Sequence, residues 1–292
     1  VPGQVESTRG AQKKSETIDA IVTDTEGQET SLQQLSWRGN IRRLGWLGDP
    51  QAADEEGRRG PLAIEIREPN STTWTKGVLT LVPLRHIAAI EFDYQRQFVT
   101  YRIHGLQQVL TGTLQYRGIN TFTLTGRTTG GQQRSYTAGL VDAKVPVIKR
   151  VIFPQASAIQ RPRAGLLWNV KIGQPNAHDP IVPVRNLKPL FAFPDGRERL
   201  LESLPLRKAD PLTFGAHLQR CEILANDPNN HYAAAELTVA DGTERLVAIP
   251  LMLTEEGQTG LLQGLLGEID AGWKLFPLHT IRVVTLAKRT VD

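Results

Sequence analysis

Residues 77–92 read Gly-Val-Leu-Thr-Leu-Val-Pro-Leu-Arg-His-Ile-Ala-Ala-Ile-Glu-Phe, and residues 272–286 read Gly-Trp-Lys-Leu-Phe-Pro-Leu-His-Thr-Ile-Arg-Val-Val-Thr-Leu. Counted from Pro83 and Pro277, apolar residues stand one, four, seven and nine places on: Leu84, Ile87, Ile90 and Phe92, then Leu278, Ile281, Val284 and Leu286. A proline ends a ladder because it has no N–H to give. Two apolar residues three apart then share a face over one helical turn, and the switch to every second residue is a strand. The element is therefore strand, one turn of helix, strand. Pro205 gives the same register with Leu206, Ala209, Leu212 and Phe214, and Pro183 with Val184, Leu187, Leu190 and Ala192. Pro146 gives a frayed version, with Val147, Val151 and Phe153.

Strand patterns dominate outward from these copies. Leu62–Arg67, Phe98–Ile103 and Thr121–Thr125 alternate apolar with polar residues. Glu236–Ala240 and Leu246–Pro250 flank Asp241-Gly242, the signature of a hairpin. Ile18–Thr23 and Leu166–Ile172 open the two halves as strands, and Leu218–Ala225 is the best candidate for a helix. The reading is mainly β: two tandem small β-barrel or β-sandwich domains with few short helices. Residues 1–17 are a polar, flexible leader, 18–155 the first domain, 156–164 a linker and 165–292 the second. Residues 48–61 are a surface loop by composition.

The chain has 292 residues, enough for two cores, and 40% of them are hydrophobic, which supplies those cores. Its 34 basic and 30 acidic residues are interleaved, so the excess of +4 forms no basic stripe. Nucleic acid is excluded on that ground as a partner. No apolar run reaches the ~18 residues of a transmembrane helix. Cys221 is alone, which rules out an intrachain disulfide, and it reads as a small buried hydrophobe. The chain starts at Val1 with a polar tract, the pattern left when a signal peptide is removed or an N-terminus trimmed.

Catalytic signatures are missing from the sequence. There is no nucleophile elbow, no phosphate-cradling loop and no His-Glu-x-x-His, and the six histidines lack metal-ligand spacing. His86 and His279 follow the two prolines at positions where the pattern predicts solvent. Asp24-x-Glu26-Gly27 begins like a calcium loop but lacks the later oxygen ligands, so it reads as a hairpin turn. Asn226–His231 has the composition of a tight turn, and Asn70-Ser-Thr72 matches a glycosylation acceptor. Glu91, Asp93, Asp195 and Glu198 are carboxylates that sequence alone does not pair. No metal site and no cofactor are expected. The candidate ligand-binding residues are Arg42, Arg43, Trp46, Trp74 and Trp273, because guanidiniums beside indoles suit anionic polymers and indole faces suit sugar rings.

The stretches Arg42–Leu47, Asn70–Trp74, Gly77–Phe92 and Thr111–Asn120 resemble a group of uncharacterised exported β-rich proteins of planctomycete-type bacteria, with the likeness covering mainly residues 18–153. The resemblance implies an exported location: periplasm, cell envelope or extracellular. It carries over no functional residues. The expected function is that of a non-catalytic structural or protein-interaction component of the envelope or a secreted assembly, with other subunits or further copies as partners. A carbohydrate- or anionic-polymer-binding module is the first alternative, with a glycan as partner. A hydrolase drawing acid and base from distant strands is the second.

Overall fold

A computed structural model describes residues 18–47, 60–67, 77–114, 121–139, 145–158, 165–173, 181–227 and 231–287. The leader at 1–17, most of the 48–61 loop, Asn70–Thr72 and Trp74 lie outside the described residues. The first half contains β1 (Ala20–Asp24), β2 (Glu29–Arg38), β3 (Ile41–Arg43), β4 (Leu62–Arg67), β5 (Leu79–Pro83), β6 (Ile87–Asp93), β7 (Phe98–Ile103), β8 (Val109–Thr113), β9 (Phe122–Thr128), β10 (Gln133–Ala138) and β11 (Ile148–Ile152). The second contains β12 (Leu167–Ile172), β13 (Ile181–Ala192), β14 (Glu198–Leu200), β15 (Ser203–Leu206), β16 (Ala209–Thr213), β17 (Leu218–Asp227) and β18 (Tyr232–Val239). It continues with β19 (Glu244–Pro250), β20 (Met252–Glu255), β21 (Gln258–Ile269), β22 (Gly272–Phe276) and β23 (Ile281–Leu286). The fold is mainly β, as the sequence predicts, with helix confined to short 3-10 turns among the described residues. No helix there is long and apolar enough to cross a membrane.

The halves share one topology. The first sheet runs β10-β9-β2-β1-β11-β6-β7-β8, and the second contains the run β22-β21-β13-β12-β23-β17-β18-β19. Matching the two in order pairs eight strands of each half; chain order then sets β3, β4 and β5 beside β14, β15 and β16, and leaves β20 over. Irregularities match as well. Register slips at Thr23/Asp24 and at Lys171/Ile172, between Gln33 and Ser36 and between Arg185 and Lys188, and between Ile87 and Ala89 and between Leu218 and Arg220. Bulges bend a strand and raise its twist, which is how each sheet wraps its own core. Gln34 and Asn186, with φ of 53° and 50°, are the left-handed residues of the second pair.

Side chains follow the same correspondence. Val22, Val151, Ile90 and Tyr101 face one another across four strands of the first half, and Val170, Val284, Cys221 and Leu237 do so in the second; all eight are buried. Each half has its own core, with Ala271 of the second half entering the first core and Val78 of the first half entering the second. Over each core lies a hairpin, β4–β5 in the first half and β15–β16 in the second, contributing Ile64, Ile66 and Val82 or Leu204 and, just beyond β16, Phe214.

Two of the four proline elements have the expected form. Pro83 (φ −56°, ψ 131°) and Pro277 (φ −56°, ψ 138°) lead into 3-10 turns at Leu84–His86 and Leu278–Thr280, closed by Ile87 and Ile281 amides on the Leu84 and Leu278 carbonyls. The other two differ. Pro183 lies within β13 and Pro205 within β15, with no helical turn after either. Leu218–Ala225, the helix candidate, is part of β17. His86, expected in solvent, is buried, because its Nδ1 meets the Ser157 carbonyl at 2.9 Å where the chain leaves the first half.

The halves are welded. β5 pairs with β22 through Leu81↔Trp273, Thr80↔Lys274 and Leu79↔Leu275, so β3, β4 and β5 extend the second half's sheet to thirteen strands among the described residues. A third apolar cluster, with Leu44, Ala63 and Leu81 from one side and Leu190, Leu266 and Leu275 from the other, covers the joint. Gly272 makes the close approach possible: a Cβ there would stand 2.2 Å from the Leu81 carbonyl oxygen, and its φ is +147°.

Candidate functional site

Of the residues singled out by composition, Arg42, Trp46 and Trp273 meet at this junction, and Trp74 lies outside the described residues. β3 is a short edge strand whose Arg42 points at the second half. Its guanidinium bonds Glu198 of β14 and lies 3.5 Å from Glu65 of β4. Glu198 Oε2 also accepts the Gly45 amide at 3.1 Å, so one carboxylate of the second half clamps two groups of the first. Burial holds the Arg42 pKa below its ordinary value, and the Glu65 charge opposes that shift. The Arg42 guanidinium carbon lies 5.9 Å from the Trp46 ring, which meets Trp273 edge-on at 6.4 Å. Arg43 turns elsewhere and donates to the Gly60 carbonyl at 3.2 Å.

A cavity of about 1300 Å³ opens between the halves, walled by β2, β3 and the 3-10 turn at Gly45–Leu47 on one side and the Asp195–Leu200 turn on the other. Trp37 and Trp46 both line it, and neither indole N–H has an acceptor among the described residues. Five arginines and three carboxylates line the cavity, which by charge alone would favour an anion. Most of that charge is already engaged. Arg42 is held by two glutamates, Arg197 by Asp195 and Glu256, and Arg199 by Glu255. Arg38, which also lines the cavity, is exposed.

The four carboxylates noted as unplaced do not gather at one place: Asp195 and Glu198 line the cavity, and Glu91 and Asp93 do not. Glu91 bridges Arg102 and Arg150, Asp93 holds Arg96, and Asp195 caps its own turn by accepting the Arg197 amide at 3.0 Å. That amide, followed by the Arg197 side chain, keeps the Asp195 carboxyl below the usual range. Asp24 likewise accepts the Glu26 and Gln28 amides at 3.0 and 2.8 Å, which makes its loop a hairpin turn. Cys221 is fully buried and its thiol is pushed up to about 12 by burial, the behaviour of a structural residue. No group of three or more metal-ligating side chains gathers among the described residues.

Sequence reasoning missed Glu198 and Glu65 as partners of Arg42, and Trp37 as a wall of the cavity. Glu198 stands 156 residues from Arg42, and no local spacing reports such a pairing. No protein-family model matches the chain, and no curated protein matches it.

Proposed function

We propose that the chain is a non-catalytic structural component of a larger protein assembly in the bacterial envelope or outside the cell. The observation that carries this reading is the β5–β22 joint. Two β units of one topology are fused edge to edge through main-chain bonds and a shared apolar cluster, which is a way of building extended β structure from repeated parts. The ionic groups at the junction support the same reading, since they are spent on holding the halves together. The envelope setting rests on the resemblance of residues 18–153. Size-exclusion chromatography with light scattering on material from the native source is the test. A mass well above the 32.3 kDa of one chain supports the proposal, and a strict monomer without a partner overturns it.

One observation favours a second reading. Trp37 and Trp46 line one cavity together with arginines and carboxylates, a combination suited to a sugar's C–H faces and hydroxyls. Quenching of tryptophan fluorescence by neutral and acidic oligosaccharides tests it, and no response across both classes sinks it.

A further inference from the structure

The joint inside the chain uses one edge from each half, and each of those edges has a counterpart in the other half. β5 corresponds to β16, and β22 corresponds to β10. Both counterparts lack the neighbour that the joint would give them. Among the described residues, β10 ends its sheet with β9 as its only strand neighbour there, and β16 is paired only with β15.

The alignment reaches individual residues at β10. Gly126 of β9 and Gly267 of β21 each face a bulge, where a Cβ would meet Leu32 Cβ at 3.0 Å or Val184 Cγ2 at 2.5 Å. Arg134 is the cross-strand partner of Gly126, and Lys274 that of Gly267. Gln133, Arg134 and Ser135 therefore stand where Trp273, Lys274 and Leu275 bind β5. The Thr128 amide bonds the Gln132 carbonyl at 2.8 Å, which sets the phase of β10. By alternation, the main-chain groups of Gln133 and Ser135 point away from β9. The Thr137 amide, two residues on, confirms that phase by donating outward to the Pro146 carbonyl at 3.0 Å.

We propose that a second copy of this chain docks its β15–β16 hairpin on the outer edge of β10, as β4–β5 docks on β22, so that copies join head to tail. This rests on the structural reading above and deepens it by naming the partner. Because the two open edges belong to different halves of one chain, each added copy brings a fresh β10 edge, and the contact propagates. Charge agrees: Arg134 is exposed on β10, and Asp210 is exposed on β16. The contact is weaker than the intrachain joint. Gln133 and Ser135 replace Trp273 and Leu275, so no apolar cluster covers it, and Pro211 withholds one donor from β16.

The test uses the purified full chain with single cysteines, Arg134→Cys in one preparation and Asp210→Cys in another, and a short thiol-to-thiol cross-linker. Cys221 is buried, so the unsubstituted chain is the blank. The expected result is a product of twice the 32.3 kDa chain mass in the mixture and in neither preparation alone. Product from Arg134→Cys alone overturns the proposal in favour of a two-fold β10–β10 contact. No product in the mixture overturns it too, and if the native assembly persists the failure is confined to this contact. Arg134→Glu, made in the chain without added cysteines, is the second variant: it leaves the main chain of β10 intact and is expected to weaken self-association, read by sedimentation equilibrium, about tenfold by placing like charges together. Asp210→Arg in the same chain is expected to restore it. An unchanged association constant with Arg134→Glu overturns the proposed contact.

Discussion

The two halves are most alike inside and least alike at their edges. Val22, Val151 and Ile90 have Val170, Val284 and Cys221 as counterparts, and even the register slips recur. At the outer strands the resemblance ends. β22 presents Trp273 and Leu275 and is sealed to β5, whereas β10 presents Gln133 and Ser135 and, among the described residues, meets no strand on its outer side beyond the Thr137–Val147 bridge. A core position is constrained by packing on every side, so a duplicated core holds its pattern. An edge is constrained only by what it meets, and edge chemistry alone sets whether a contact is permanent or left available.

The comparison is broken most severely at Gly272. Gly272→Ala drives a Cβ into the Leu81 carbonyl at a φ that disfavours side chains, and the expected loss is at least about 3 kcal/mol. Denaturant unfolding measures the loss, and faster hydrogen exchange at Leu79 and Leu81 locates it. Gln132, its counterpart beside β10, is exposed, and Gln132→Ala should stay within about 0.5 kcal/mol. An equal cost for the two would mean that the joint contributes nothing. Next in size is Arg42→Ala, which leaves Glu65 and Glu198 facing each other. A loss of about 2 kcal/mol is expected, below the cost of breaking a fully buried pair because solvent reaches part of all three groups. Removing Glu198 as well should recover part of it, and a double-mutant cycle reads the coupling.

Tyr101 sharpens the comparison in the opposite direction. Its hydroxyl is buried without a partner among the described residues, its pKa is raised by burial, and its counterpart is Leu237. Tyr101→Phe should raise stability by about 1 kcal/mol, seen as a higher midpoint. Smallest is a pH effect at His86, whose counterpart in the second half, His217, is exposed. Burial lowers its pKa from 6.5, the Ser157 carbonyl opposes the shift, and Arg85 and His104 add to it. A base with a depressed folded-state pKa is neutral in the fold. Its full stability is therefore present above 6.5 and is lost as pH falls through the folded value. The melting temperature should fall more between about pH 7.5 and about pH 5 in the parent than in His86→Leu. Identical falls would remove His86 as the cause.

Much of this fold could be read in the sequence, because period-two alternation and turn chemistry are local. The Asp241-Gly242 hairpin and the two complete proline elements came from neighbours in sequence, and so did the buried register at Leu84, Ile87 and Ile90. The errors share one physical origin. A bulge inserts a residue and turns a two-residue step into a three-residue step, which matches the spacing of one helical turn. Val184 and Leu187 straddle left-handed Asn186, just as Leu32 and Leu35 straddle Gln34, and Leu218 and Cys221 straddle a slip in β17. The candidate site was visible only in part. Arg42, Trp46 and Trp273 could be named from their chemistry, but what holds them is Glu198 and a strand pairing between distant segments, neither of which leaves a local pattern.

The β5–β22 pairing also sets a schedule. Its partners are roughly 190 residues apart, so at a synthesis rate of about 5–20 residues per second the outer edge of β5 waits some 10–40 s for the strand that covers it. During that interval the first half can close its core, yet it carries an open edge of Leu79 and Leu81. The last strands made are thus the ones that silence the earliest sticky surface, and any chain that stops before Gly272 leaves that surface exposed for good.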